Sequence, residues 1–244
     1  MLSITFKFSN ALLDVYLNDH FNLIKVAMQQ DTYKHKGLRK RLIEEIESKG
    51  ITDKQVLGAM LRVPRHFFME SSFLKFAYSD QAFPIGYGQT ISQPFTVAFQ
   101  TQLLQVEHMN KVLEVGTGSG YQAAILMELG VRLFTIERQR ELYLNAKSLL
   151  EEMGYHPSFH FGDGYKGLPG YSPFDRIIVT AGAPTIPDEL VDQLAVGGRM
   201  VIPVGDENGQ VMTLVEKISS TEVRKTTHGN FIFVPLLKGV EKSK

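Results

Sequence analysis

The chain has 244 residues, 43% hydrophobic and 21% charged, with lysine plus arginine and aspartate plus glutamate balanced at 26 each. That size and mixture suit one soluble α/β domain with an appended element, long enough to bury a full core. Balanced charge without a long basic run argues against a nucleic-acid partner, and the absence of cysteine excludes disulfides, thiolate metal sites and cysteine nucleophiles.

Residues 1–30 carry an apolar cluster, Leu12, Leu13, Val15, Tyr16 and Leu17, interrupted by Asp14, Asn18 and Asp19. They lack the cationic start, unbroken apolar core and small-residue cleavage site of a signal peptide, so neither export nor a membrane span is expected. They are expected to be an extension of unknown role, with Met28 an alternative start. Residues 31–244 are expected to form one domain, with a helical part and a loop over 31–108 and a sheet with C-terminal strands over 109–244.

Leu38, Leu42 and Ile46 fall at i, i+4 spacing among charges and predict an amphipathic helix over 37–49, ended by Gly50. Thr52 or Asp53 is placed to cap a second helix carrying Val56, Leu57, Met60 and Leu61, which Pro64 stops. Phe67, Phe68, Phe73, Phe76 and Tyr78 then supply rings suited to packing that helical region onto a sheet. Pro84-Ile85-Gly86-Tyr87-Gly88-Gln89-Thr90-Ile91-Ser92-Gln93-Pro94 reads as a shaped loop leading into a helix near Phe95. Taken singly, Thr90 and Ser92 are helix-cap residues.

From about residue 110 strands and helices alternate. Strands are predicted near 111–115, 132–136, 157–161, 174–180 and 198–204, with helices beginning near 120, 139 and 187. That rhythm predicts a Rossmann-like, doubly wound, mostly parallel sheet with an N-terminal helical region. Val211–Ile218 and Phe231–Leu236, joined only by a turn-rich link, are expected to add an antiparallel pair at the edge.

The first strand runs into Glu114-Val115-Gly116-Thr117-Gly118-Ser119-Gly120-Tyr121, with glycines at every second position. Glycine accepts positive φ and has no Cβ to keep a ligand off the backbone. A dinucleotide fingerprint needs its third glycine one place later, where Tyr121 stands. Glu137 ends the next strand 17 residues after Gly120 and is placed to accept both ribose hydroxyls of an adenosyl group. Asp163, after the third strand, is placed to meet an adenine amino group. The glycine run resembles motif I of S-adenosylmethionine-dependent methyltransferases.

The segment Pro84–Pro94 resembles the signature of the protein-L-isoaspartate O-methyltransferase family, in which the Thr-Ile-Ser-x-Pro portion carries an active-site serine. Val63-Pro64-Arg65, Leu113–Tyr121, Gly162-Asp163-Gly164, Ile177–Ala181 and Val234-Pro235-Leu236 match further family segments in the same order, covering roughly residues 36–240. The resemblance implies Ser92 as the catalytic residue. It also implies a cofactor site formed by Thr90, Glu114, Gly116, Thr117, Gly118, Gly120, Glu137, Arg138, Asp163, Gly164 and Thr180. Peptide binding is implied for Ile91, Ser92, Val234, Pro235 and Leu236. S-adenosyl-L-methionine would be the methyl donor and S-adenosyl-L-homocysteine the product. Isoaspartyl peptides and proteins would be the substrate of a cytoplasmic monomer that has no metal, nucleic-acid or membrane partner.

Other readings remain open here. Cytosine C5 methylation needs a cysteine nucleophile, which the chain lacks. Thr180-Ala181-Gly182-Ala183-Pro184 does not match the Asn/Asp-Pro-Pro-aromatic loop of amino-methylating DNA enzymes. A small-molecule O-methyltransferase of the same fold, or a binding module that keeps the fold without the chemistry, is still compatible.

Overall fold

The computed structural model describes residues 30–241. Residues 1–29 of the expected 1–30 extension, including Met28, lie outside the described residues. Helix α1 (Tyr33–Ser48) begins four residues earlier than the apolar spacing predicts, because the Thr32 side chain accepts the His35 amide at 3.3 Å and caps it. Helix α2 (Lys54–Arg62) is capped by Asp53, whose carboxylate accepts the amides of Gln55 and Val56. Strands β1 (Phe83–Pro84) and β2 (Thr90–Ile91) form a small hairpin inside the expected loop, and α3 (Pro94–Leu104) follows it.

The sheet contains β3 (Lys111–Val115), β4 (Arg132–Glu137), β5 (Ser158–Phe161), β6 (Phe174–Val179), β7 (Leu194–Asp206), β8 (Gly209–Lys217) and β9 (Val223–Phe231). Helices α4 (Tyr121–Glu128), α5 (Arg140–Glu152) and the short α6 (Asp188–Asp192) lie between them. The strand order is β5-β4-β3-β6-β7-β8-β9, parallel through β7 and antiparallel from β7 to β9. The chain builds outward from β3 to β5, then crosses back to place β6 on the other side of β3. Between β3 and β6 the direction of winding reverses, and open α/β sheets leave a crevice at the carboxyl ends of such strands.

Alternate residues of the central strands enter opposite layers of core. Val112, Leu133, Ile178 and Val201 pack with Leu42, Ile46, Met60, Val97 and Leu126 from the helices. Leu113, Ile136, Ile177 and Met200 face Leu190, Leu194 and Leu236 on the other side. Burial on both faces is why these strands read as nearly continuous apolar runs.

The C-terminal edge corrects one expectation. β8 takes in residues 211–217 of the predicted 211–218 strand, but its partner is Val223–Phe231, not Phe231–Leu236. Residues 224–227 of that strand are exposed and polar, so the apolar alternation that marks a half-buried strand is missing. The apolar segment after it leaves the sheet and makes an isolated parallel bridge from Pro235 to Gly182.

Arg39 joins the first described residues to the helical layer. Its guanidinium donates to both oxygens of Asp31, at 3.0 and 2.9 Å, to Tyr78 Oη at 2.9 Å and to the Leu61 carbonyl at 2.6 Å. The arginine is only 5% exposed. Replacing Asp31 with alanine would leave two buried donors short of an acceptor, at a cost of about 1–3 kcal/mol. Urea unfolding of Asp31→Ala beside the wild type should show that loss; an unchanged midpoint would remove Asp31 from the scaffold.

Candidate active site

Two backbone turns meet above the point where the winding reverses. Gly116 follows β3 with φ +96°, and a Cβ built on it would lie 2.5 Å from Thr180 Oγ1. Thr180 follows β6, and its amide donates to the Val115 carbonyl at 3.0 Å. Its hydroxyl lies 2.6 Å from the Gly116 carbonyl, to which it donates. Any side chain at 116 would push these two strand ends apart. Gly118, at φ +53°, continues the turn, and its amide donates to Glu137 Oε2 at 2.9 Å.

Glu137 is 5% exposed, and its other oxygen accepts the Gln139 amide at 2.8 Å. A carboxylate offers about four lone-pair directions, so each oxygen keeps one for a further donor in the cleft. Thr117 and Thr135 hydroxyls lie 2.5 Å apart, and Thr135 donates to Glu114 Oε2 at 2.6 Å. While Glu114 is ionised, Thr135 donates to it and Thr117 donates to Thr135; once protonated, Glu114 can itself donate and the chain can run the other way. Glu114 lies fully buried behind the cleft wall, and its Oε1 has no hydrogen-bond partner among the described residues. Burial pushes its carboxyl up to about 8, opposed by the Thr135 bond and reinforced by the negative charge of Glu137.

The cleft is a narrow one, of about 70 Å³. Of the residues expected at the cofactor, Thr90, Gly116, Thr117, Gly118, Glu137, Arg138, Gly164 and Thr180 line it. All the expected peptide-site residues, Ile91, Ser92, Val234, Pro235 and Leu236, line it as well. Glu114, Gly120 and Asp163 do not. Gly120 instead sits under α5, where its Cβ would come 3.0 Å from Leu150 Cδ1 and 3.5 Å from Ala146 Cβ. It is a packing glycine. Asp163 Oδ1 accepts the Tyr165 amide at 3.0 Å and Oδ2 accepts the Gly239 amide at 2.8 Å, so the acid closes a turn and anchors the C-terminal segment. Arg138 reaches the cleft, but its guanidinium is held by the Gly239 carbonyl and Glu241.

Tyr121, Gln122 and Gln139 also line the cleft and were not singled out in the sequence. The first two open the helix after the glycine turn, and Gln139 directly follows Glu137-Arg138, so adjacency was the available signal. Gln122 donates to Thr101 at 3.0 Å, while its Oε1 has no partner among the described residues. A bare glycine turn, an acid with free lone pairs and an unpartnered amide oxygen form an acceptor-rich wall. It suits a ligand that carries hydroxyl and amine donors and a positive charge.

A second groove, of about 940 Å³, opens beside the first and shares Thr90, Ser92, Thr180 and Val234 with it. Phe95, Phe231 and Phe233 supply apolar wall, and Asn208, Asn230 and Gln93 supply polar groups. Ser92 therefore stands at the junction of two cavities, one glycine-lined and one wide and partly aromatic.

The family model for protein-L-isoaspartate (D-aspartate) O-methyltransferase matches residues 37–241. The chain belongs to this family. It is 57% identical over 210 residues to the protein-L-isoaspartate O-methyltransferase of Christiangramia forsetii, a match covering 86% of this chain and 98% of that one. A solved protein-L-isoaspartate O-methyltransferase superposes with TM-score 0.74 at 28% identity, covering 81% of this chain and 65% of that chain. A Plasmodium falciparum structure described as the same type of enzyme, in complex with S-adenosyl-L-homocysteine, superposes with TM-score 0.71 at 25% identity. That match covers 82% of this chain and 98% of the other. The fold is thus the Rossmann-like fold of class I methyltransferases. No described helix is long and apolar enough to cross a membrane.

Glu114 generates a prediction with a definite sign. Its carboxyl is raised in the folded state, so the stabilising contribution of the neutral form is complete below about pH 4.5 and is lost as pH rises towards about 8. Glu114→Gln keeps the shape and the acceptor for Thr135 but cannot ionise. Its urea-unfolding free energy should fall less than that of the wild type across this window, by an amount on the order of a few kcal/mol. Parallel pH profiles for the two proteins would show that Glu114 is already ionised in the fold.

Proposed function

We infer that the chain uses S-adenosylmethionine to methylate the α-carboxyl group of L-isoaspartyl residues in damaged peptides and proteins, initiating their repair. Besides family membership, the observation that carries this reading is the position of Ser92, on the wall shared by the glycine-lined cleft and the wide groove. A small-molecule O-methyltransferase needs only an enclosed acceptor pocket. The second groove, with room for an extended backbone and loosely specified side chains, favours a peptide.

S-adenosylmethionine, when bound, supplies a methyl carbon on a sulfonium, a leaving group that needs no further activation. Gly116, Gly118 and Gly164 give its site a bare wall, and Glu137 has lone pairs available for ribose hydroxyls. Glu114 is linked to that wall from behind through Thr135 and Thr117.

The acceptor carboxylate is ionised at neutral pH, so no residue has to remove a proton from it. Ser92 donates a hydrogen bond to one carboxylate oxygen and fixes the direction of the other; it is a positioning donor and forms no covalent bond. Correct alignment is where the rate comes from, since bringing the reacting atoms together in a fixed geometry can supply roughly 7–11 kcal/mol of a barrier. Ile91 and Val234-Pro235-Leu236 border the carboxylate site, and the groove beyond them receives the flanking chain.

In L-isoaspartate the peptide backbone runs through the side-chain carbonyl, leaving the α-carboxylate free. Once it is esterified, the neighbouring amide nitrogen attacks the ester carbonyl and expels methanol, closing a succinimide without the enzyme. Water then opens the ring, returning part of the product to normal aspartate. The chain is proposed to work on proteins as a monomer in the cytoplasm; its cysteine-free composition agrees with a reducing compartment, and its balanced charge weighs against a nucleic-acid partner.

Ser92→Ala should lower methyl transfer on the order of tenfold to a hundredfold, because alignment is loosened while the sulfonium stays activated. Calorimetric affinity for S-adenosylhomocysteine should be unchanged. Full turnover in this variant would take Ser92 out of the reaction.

The activity itself is tested by radiolabelled methyl transfer to an isoaspartyl peptide beside its aspartyl twin. The carboxylate of normal aspartate lies one methylene further from the backbone, and a misplacement of about 1 Å already costs on the order of a hundredfold. Only the isoaspartyl peptide should be esterified at a useful rate. Equal labelling of both peptides, or preference for a small free acid, would overturn the substrate assignment.

A further inference from the structure

The two sides of Ser92 are tied to the same short stretch of chain, Asp80–Pro84. On the N-terminal side, Ile91 pairs with Phe83 and Thr90 with Pro84 in the β1–β2 hairpin. The turn of that hairpin is closed by the Ile85 amide on the Gln89 carbonyl, at 3.0 Å, and the Gln89 amide on the Gly86 carbonyl, at 2.9 Å. On the C-terminal side stands Asp80. Its Oδ1 accepts the Phe95 amide at 2.7 Å, and its Oδ2 accepts Gln93 Nε2 at 3.0 Å and Lys49 Nζ at 2.7 Å. The Asp80 side chain is 3% exposed.

This arrangement replaces an ordinary helix cap. Gln93 occupies the N-cap of α3 yet makes no capping bond of its own, and Pro94 at the next position has no amide proton. The first exposed amide of the helix is satisfied from a residue 15 positions earlier in the chain. A carboxylate beside a helix N-terminus is favoured by the local dipole. Lys49, at the end of α1, supplies the counter-charge. The usual capping residues would stabilise α3 equally well without leaving the loop, so capping alone does not require Asp80. What Asp80 adds is a fixed distance between the Asp80–Pro84 strap and the two residues flanking Ser92 on the helix side.

We infer that Asp80 is a positioning residue for the methyl-transfer reaction: with the β1–β2 hairpin it clamps Ser92 from both sides, so the hydroxyl meets the acceptor carboxylate in one orientation. This rests on the role assigned to Ser92 above. The hydrogen-bond partners of Asp80, Lys49, Gln93 and Phe95, do not line the cofactor cleft, so loss of the clamp should misalign the acceptor and leave the glycine-turn side of the donor site as it was.

The test compares wild type, Asp80→Asn and Asp80→Ala in three measurements: turnover on an isoaspartyl peptide, calorimetric binding of S-adenosylhomocysteine, and hydrogen exchange of residues 88–97. Asp80→Ala should lose kcat on the order of tenfold to a hundredfold, with unchanged S-adenosylhomocysteine affinity and faster exchange at the Phe95 amide. Asp80→Asn keeps an acceptor for Phe95 but no longer accepts from both Gln93 and Lys49, so it should retain more kcat than alanine and still fall below the wild type. If the alanine variant does not fold, the asparagine variant decides. Wild-type kcat in Asp80→Asn, or a parallel loss of S-adenosylhomocysteine affinity in either variant, would overturn the proposal. A wild-type protein inactive on the isoaspartyl peptide would refute the functional reading instead, and hydrogen exchange would still decide whether Asp80 holds the loop.

Discussion

The contact between Gly116 and Thr180 is the constraint on which the site depends. The threonine hydroxyl occupies the space that a side chain at 116 would need, and it binds the carbonyl of that same residue. β3 and β6 are thereby locked at their carboxyl ends, where the order of the sheet reverses. A crevice at a reversal point follows from topology, but its width does not. Here the width is fixed by one missing Cβ and one hydrogen bond. Gly118 can then reach Glu137 across the end of β4, and the turn becomes a rigid wall with its acceptors aimed into the cleft.

A second set of contacts closes the cleft from above. After β9 the chain runs back across the strand ends, meeting Gly182 after β6, then Asp163 after β5, then Arg138 to Arg140 after β4. The Leu236 amide donates to the Gly182 carbonyl at 2.7 Å, and the Glu241 amide donates to the Arg138 carbonyl at 2.9 Å. The residues proposed to border the peptide carboxylate are therefore carried by the same segment that roofs the cofactor cleft. Gln210 supports this segment from β8, accepting the Phe233 amide at 2.7 Å. Peptide site and cofactor site share a structural member.

This explains what was and was not legible in the sequence. The central strands announced themselves because burial on both faces demands continuous apolar residues, and the glycine turn because its backbone is unusual at every second position. β9 was invisible because an edge strand facing water on its outer side has no reason to alternate. Phe231–Leu236 looked like a strand for the opposite reason: it is apolar because it packs over the cleft, not because it pairs in the sheet. Among the acids, position after a strand pointed to both Glu137 and Asp163; Glu137 lines the cleft, whereas the carboxylate of Asp163 holds a turn and a passing segment. Gly120 also lies off the lining, at φ +88° and packed against Leu150 and Ala146. Asp80 gave no local signal, because its partners are 13 and 15 residues away in the chain.

Glu114 is the least economical feature of the fold and the most informative. A fully buried carboxyl with one unpartnered oxygen, close to a second acid, is destabilising by ordinary rules. A glutamine would satisfy Thr135 at least as well, and an apolar residue would pack. The hydroxyl chain shows what the acid does that an apolar residue would not. Through Thr135 and Thr117 it carries a polar link from the buried carboxyl to the wall of the cleft. The direction of that link follows the protonation of Glu114: the ionised acid accepts from Thr135 and leaves Thr117 an acceptor towards the cleft, whereas the protonated acid can donate and reverse it. A positively charged ligand favours the first arrangement, and so favours the ionised form that burial opposes. The instability is local, and the group that carries it is linked to the binding site; conflict between the two is what a functional site looks like from the side of folding.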